Sequence, residues 1–159
     1  MDWSGWALFG FAATLALTVI MSGAQMAGLS RMDIPFMLGT MVSAKPDTAR
    51  VAGFFIHLVN GQLFALFYAA AFDVLDRDAW WLGAGFGAFH GLVALLVIAP
   101  LLPGVHRRMA SERAGPELSA MLEPPGLLGL NYGRETAAVT LVAHVVYGTL
   151  LALFLTPGS

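Results

Sequence analysis

Three histidines, His57, His90 and His144, stand inside uncharged apolar stretches of a chain without cysteine. Imidazole can ligate a transition metal or a haem iron, pass a proton, or hydrogen-bond across a helix contact. Ionisable groups are costly inside a membrane, so all three are functional candidates by position. Asn60 and Tyr147, each three residues after a histidine, share the same helical faces and join them as ligand-binding or proton-handling candidates. A metal would use His57, His90 and His144. In the packing alternative each histidine only hydrogen-bonds a neighbouring helix. No carboxylate interrupts the apolar runs, which weighs against zinc or di-iron catalysis.

The elements that must carry these residues are spanning helices. The chain has 159 residues, 58% hydrophobic and 11% charged, far from a soluble composition of about 25% charged. Four uncharged runs are long enough for the roughly 20 residues that cross a hydrocarbon core. The spacing predicts spans over about 5–29, 51–72, 79–103 and 136–156 in one all-α domain covering 1–159. The first run has Asp2 and no Lys or Arg ahead of it, so it reads as a retained helix rather than a cleaved signal.

Seven of the eight Lys and Arg, including Arg31, Lys45, Arg108 and Arg113, fall in the first and third loops; only Arg77 lies in the second. By the positive-inside rule both termini are expected on the periplasmic side of an inner membrane, with Trp3, Trp6, Trp80 and Trp81 as an outer aromatic belt. The lipid bilayer is the expected partner, with a homo-oligomer or membrane complex as a further one. No basic patch with interleaved aromatics points to nucleic acid.

The segment HLVNGQLFALF from His57 returns as HVVYGTLLALF from His144, with seven of eleven positions identical. The second and fourth spans run in the same direction, so the copy implies a four-helix transmembrane bundle built from a duplicated two-helix unit, a parallel repeat. At helical rise, His57 lies about 10 Å from basic Arg50, His144 about 15 Å from Arg134, and His90 about 15 Å from aromatic Trp80, so the three converge near mid-membrane.

Gly83, Gly87 and Gly91 recur at four-residue spacing on the third span, and Gly61 and Gly148 follow the copied histidines. Glycines at such spacing let helix backbones approach closely, which makes these five helix-packing residues. Gly87→Leu is therefore expected to disrupt the protein more than Leu95→Ala. On the first span Thr14, Thr18 and Ser22, followed by Gln25, form the expected inward face. Asp33 is placed to cap a short apolar helix with Pro35 in its first turn. The region from Arg107 to Glu135 reads as a solvated connection, and His106, next to Met109, as an edge residue whose loss is mild. Histidine with thioethers can bind Cu(I), although methionine is commonly packing filler.

The short length, the four spans, DIPFMLGTM after the first helix, and the glycine-following-histidine segments resemble small bacterial four-helix integral membrane proteins of unknown function. That resemblance implies the fold and carries no activity or catalytic residue. The parallel duplication is also similar to four-helix b-type cytochromes, but the first span offers no histidine for a second haem. The sequence thus points to a binding or permeation module rather than an enzyme. Its ligand would be a metal, a haem or a small solute; a small transporter and a structural subunit are the alternatives.

Overall fold

A computed structural model describes residues 3–111 and 120–155. Arg113 and Thr156 lie outside the described residues. The described residues are all-helical in their regular structure, and among them four helices are long and apolar enough to cross a membrane. They are α1 (Trp3–Met26), α3 (Pro46–Leu75), α4 (Trp80–Val105) and α5 (Thr136–Phe154), with the short α2 (Ile34–Val42) between the first two.

Local chemistry explains where the helices begin and turn. Gly28, at φ +72°, takes the left-handed turn that follows α1. The Phe36 N–H then donates to Asp33 Oδ1 at 2.9 Å, capping α2, whose Pro35 occupies a first-turn position that needs no N–H. Pro46 opens α3 in the same way. In α4 the turn over Ala94–Ile98 is widened to a π-helix. Its cause lies just beyond it, where Pro100 supplies no N–H and its ring displaces the carbonyl of Leu96.

Packing follows the small residues. A Cβ on Gly83 would lie 2.2 Å from the Gly148 carbonyl oxygen, and one on Gly87 2.2 Å from that of His144, so α4 meets α5 backbone to backbone. The short α2 lies as closely on α3: a Cβ on Gly39 would sit 1.7 Å from the Ala49 oxygen, and one on Gly53 1.7 Å from the Pro35 oxygen. α1 packs against both α3 and α5. By contrast α3 and α4, although consecutive, scarcely approach along their backbones. Aromatic side chains fill the space between them instead, with Phe86 5.9 Å from Phe72 and 6.0 Å from Tyr68 between ring centroids.

Three expectations change. The buried face of α1 is Gly10, Ala13, Thr14, Leu17, Met21 and Ala24, while Ser22 is exposed; helix rotation is set by the volume that α3 and α5 accept, not by side-chain polarity. Leu95 is 1% exposed, so Leu95→Ala removes a core side chain and is expected to cost about 2–5 kcal/mol rather than little. The connection after Arg107 is not simply solvated. Met109, Pro125, Gly129 and Tyr132 are buried, and Met109 pairs with Leu122 in an isolated bridge.

Residues Leu127–Tyr132 form a tight turn whose Leu128 and Gly129 have positive φ. This turn plugs the end of the molecule that carries Arg31 and Arg108, called here the basic end. It is tied down by the Arg31 N–H donating to the Tyr132 carbonyl at 2.7 Å and by a Ser30–Thr136 hydroxyl pair at 2.9 Å. The Tyr132 hydroxyl donates to the Glu123 carbonyl. Burial, reinforced by the Glu123 carboxylate and opposed by Arg31, pushes that phenol up to about 12.

Candidate functional site

Between α3 and α4, floored by α1 and α5, lies a partly open cavity of about 180 Å³. His57, Asn60, His90, His144 and Tyr147 all line it, and so does Gly61. Each reaches it by the face its helix buries: His57 and Gly61 lie one turn apart on α3, and Thr140, His144 and Tyr147 follow the same stripe on α5. His90 comes from α4, brought in by the glycine contacts. A Cβ on Gly91 would lie 3.2 Å from the His144 Cβ, so a small residue is needed at that point of approach.

The hydrogen bonds divide these groups into engaged and unengaged. Tyr147 donates its hydroxyl to the Gly61 carbonyl at 2.6 Å and so ties α5 to α3. His144 Nδ1 donates to the Thr140 carbonyl at 2.8 Å, which leaves its Nε2 as an acceptor. The His90 and His144 rings meet edge to face with centroids 4.7 Å apart, and Phe64 packs on His90 at 4.0 Å. The Tyr68 hydroxyl lies 3.4 Å from His90 Nδ1. Two of the lining residues carry a buried atom with no hydrogen-bond partner: His57, 9% exposed, at Nε2, and Thr140, 2% exposed, at Oγ1. Such atoms are uncommon in folded proteins because each forfeits its interaction with water.

No protein family, curated protein or solved structure matches this chain. The cavity's chemistry therefore rests on its own residues. Among the described residues no Asp, Glu, Lys or Arg lines it, so a charged occupant would find no counter-ion there. Among the described residues no three His, Cys, Asp or Glu side chains come together as a metal-binding group, the three mid-span histidines included. The space is close to the roughly 150 Å³ of a cavity that holds one benzene ring. A haem, several such rings across, exceeds it.

Several lining residues are not apparent from spacing. Met32 and Pro125 come from the connections, Met37 from α2, and Ala94, Leu95 and Ile98 from the widened turn of α4. His106, expected at an exposed edge, is 3% exposed. Its Nε2 donates to the Met37 carbonyl at 2.9 Å and lies 3.3 Å from Thr40 Oγ1, while its Nδ1 accepts from the Arg108 N–H at 3.2 Å. With Arg108 donating to the Thr40 carbonyl at 2.6 Å, His106 clamps the end of α2 to the end of α4. With both ring nitrogens engaged, it is not placed to ligate copper alongside Met109. Only its histidine identity, and not its spacing, could have marked it in the sequence.

Proposed function

We propose that this chain is an integral inner-membrane protein of the small bacterial four-helix class that binds a small uncharged molecule in its histidine-lined cavity. The observation that carries this reading is the pair of unpartnered buried atoms, His57 Nε2 and Thr140 Oγ1, at a space large enough for one ring. A polar atom without a partner in an apolar surrounding favours any ligand that supplies the missing hydrogen bond. The reading extends to a four-helix bundle made by duplication, supported by His57 and His144 lining one cavity and by close helix contacts at Gly61 and Gly148. Seven of eight Lys and Arg in the first and third loops support periplasmic termini.

Binding is favoured over permeation because Tyr68, Phe72, Phe86 and Tyr147 pack together on the tryptophan-bearing side of the cavity, where a pore would have to continue. Phenol is a suitable probe, being one ring with one hydroxyl. Titrated into protein labelled with ¹⁵N at its four histidines, phenol is expected to shift the His57 signal saturably and leave His106 unchanged. A linear response of equal size at all four would mean nonspecific partitioning and would overturn the reading.

A further inference from the structure

Two parts of the cavity lining differ in chemistry. His57 and Thr140, both lining it, carry buried atoms without a partner, Nε2 and Oγ1. Towards the basic end Pro125 and His106 close the space, and both are buried. The remaining side lies between α3 and α4, the two consecutive helices whose backbones stay apart. Of the lining residues Met41, Phe64 and Ile98 are exposed, the last two lying on α3 and α4 at 37% and 43%. Ile98 belongs to the π turn. Phe64 and Ile98 sit well inside helices long enough to span, so the medium outside a mouth between them is hydrocarbon rather than water.

We propose, building on the binding reading above, that the occupant is a lipid-soluble alcohol or phenol taken from the bilayer through the gap between α3 and α4. Its hydroxyl reaches the unpartnered atoms of His57 and Thr140. Its apolar remainder passes out between Phe64 and Ile98. A hydroxyl is favoured over a carbonyl because it both donates and accepts. It therefore satisfies His57 Nε2 in either tautomer, and equally the Thr140 hydroxyl. A charged headgroup is disfavoured because the lining offers it no counter-charge. A tail too long for about 180 Å³ is tolerated only if the mouth opens to lipid.

That last condition gives the test. Protein in lipid nanodiscs, ¹⁵N-labelled at histidine, is titrated separately with phenol, 4-octylphenol and octylbenzene. Phenol and 4-octylphenol should both shift the His57 signal saturably, and octylbenzene should not. Ile98→Trp, which fills the mouth, should weaken 4-octylphenol at least tenfold and phenol much less. If phenol saturates and 4-octylphenol does not, the cavity is sealed from the bilayer: access through the gap is refuted while the binding reading stands. Unchanged 4-octylphenol binding by Ile98→Trp refutes the same route. An octylbenzene response equal to that of 4-octylphenol refutes hydroxyl recognition. Silence with all three probes overturns both this inference and the reading it rests on.

Discussion

At the basic end His106 has a partner for each ring nitrogen, whereas at mid-span His57 leaves Nε2 with none. Both histidines are buried, and both line the same cavity. The difference separates two uses of one residue type. His106 joins α2, α4 and the following turn, so its hydrogen bonds hold elements together and its ring is no longer available to a ligand. His57 sits on an apolar helix face one turn from Gly61, where its Nε2 finds no partner. Burial alone thus does not separate the two histidines. An unmet hydrogen bond does.

The largest expected effect would break the comparison by removing one of its terms. Gly87→Leu places carbon where the His144 carbonyl oxygen already lies, 2.2 Å from the first added atom, and so separates α4 from α5. No bulk hydrophobic force restores a helix pair in lipid once van der Waals contact is lost. Folded protein recovered from detergent should fall severely and the His90–His144 contact should go with it. Recovery and thermal stability equal to the parent would show that α4 and α5 do not meet at these glycines.

A direct comparison of the two histidines comes next. His106→Ala removes one of the donors to the buried Met37 carbonyl, which keeps the Thr40 hydroxyl, and leaves the Arg108 N–H without its acceptor, and should cost about 1–3 kcal/mol. His57→Ala removes an Nε2 that bonds nothing, so its stability cost comes from lost packing alone, while the phenol response should be abolished. Reversible unfolding in mixed micelles measures both. Equal costs, with the ligand response retained in His57→Ala, would collapse the distinction.

The smallest effect sharpens the account of the basic end. The Tyr132 phenol titrates at about 12 in the folded protein, raised from 10.0 by burial and by Glu123. The unfolded chain therefore loses this proton first as pH rises. Stability from Tyr132 is complete below pH 10 and declines between about 10 and 12, so the slope of stability against pH should be negative there. Tyr132→Phe should flatten that slope without altering phenol binding. An unchanged slope would mean that the turn over Leu127–Tyr132 leaves the phenol in water.

Much of the scaffold is legible in the sequence because its causes are local. Hydropathy over some 20 residues specifies a span whatever lies beside it. Asp33 caps α2 through an N–H three residues away, and the glycines of α4 mark a close approach by their period alone. The mid-span histidines could also be grouped by counting residues from the basic and aromatic flanks. Less local features were not legible. Thr14, Thr18 and Ser22 share a helical spacing, yet only Thr14 is fully buried, because the rotation of α1 is settled by the packing of α3 and α5.

Sequence by itself determined which segments are long and apolar enough to cross, which small residues permit contact, and that three imidazoles stand at similar distances from the ends of those segments. Tertiary structure decided which imidazole is satisfied. His106 finds the Met37 carbonyl 69 positions away and Thr40 66 positions away, and nothing in the local pattern of either segment announces the pairing. It also decided that α3 and α4 stand apart, because that separation depends on Phe86 meeting Tyr68 and Phe72 and on a turn widened ahead of Pro100. Hydrophobic periodicity is a property of one helix, whereas a cavity is the volume several helices fail to fill, and only their assembled positions define it.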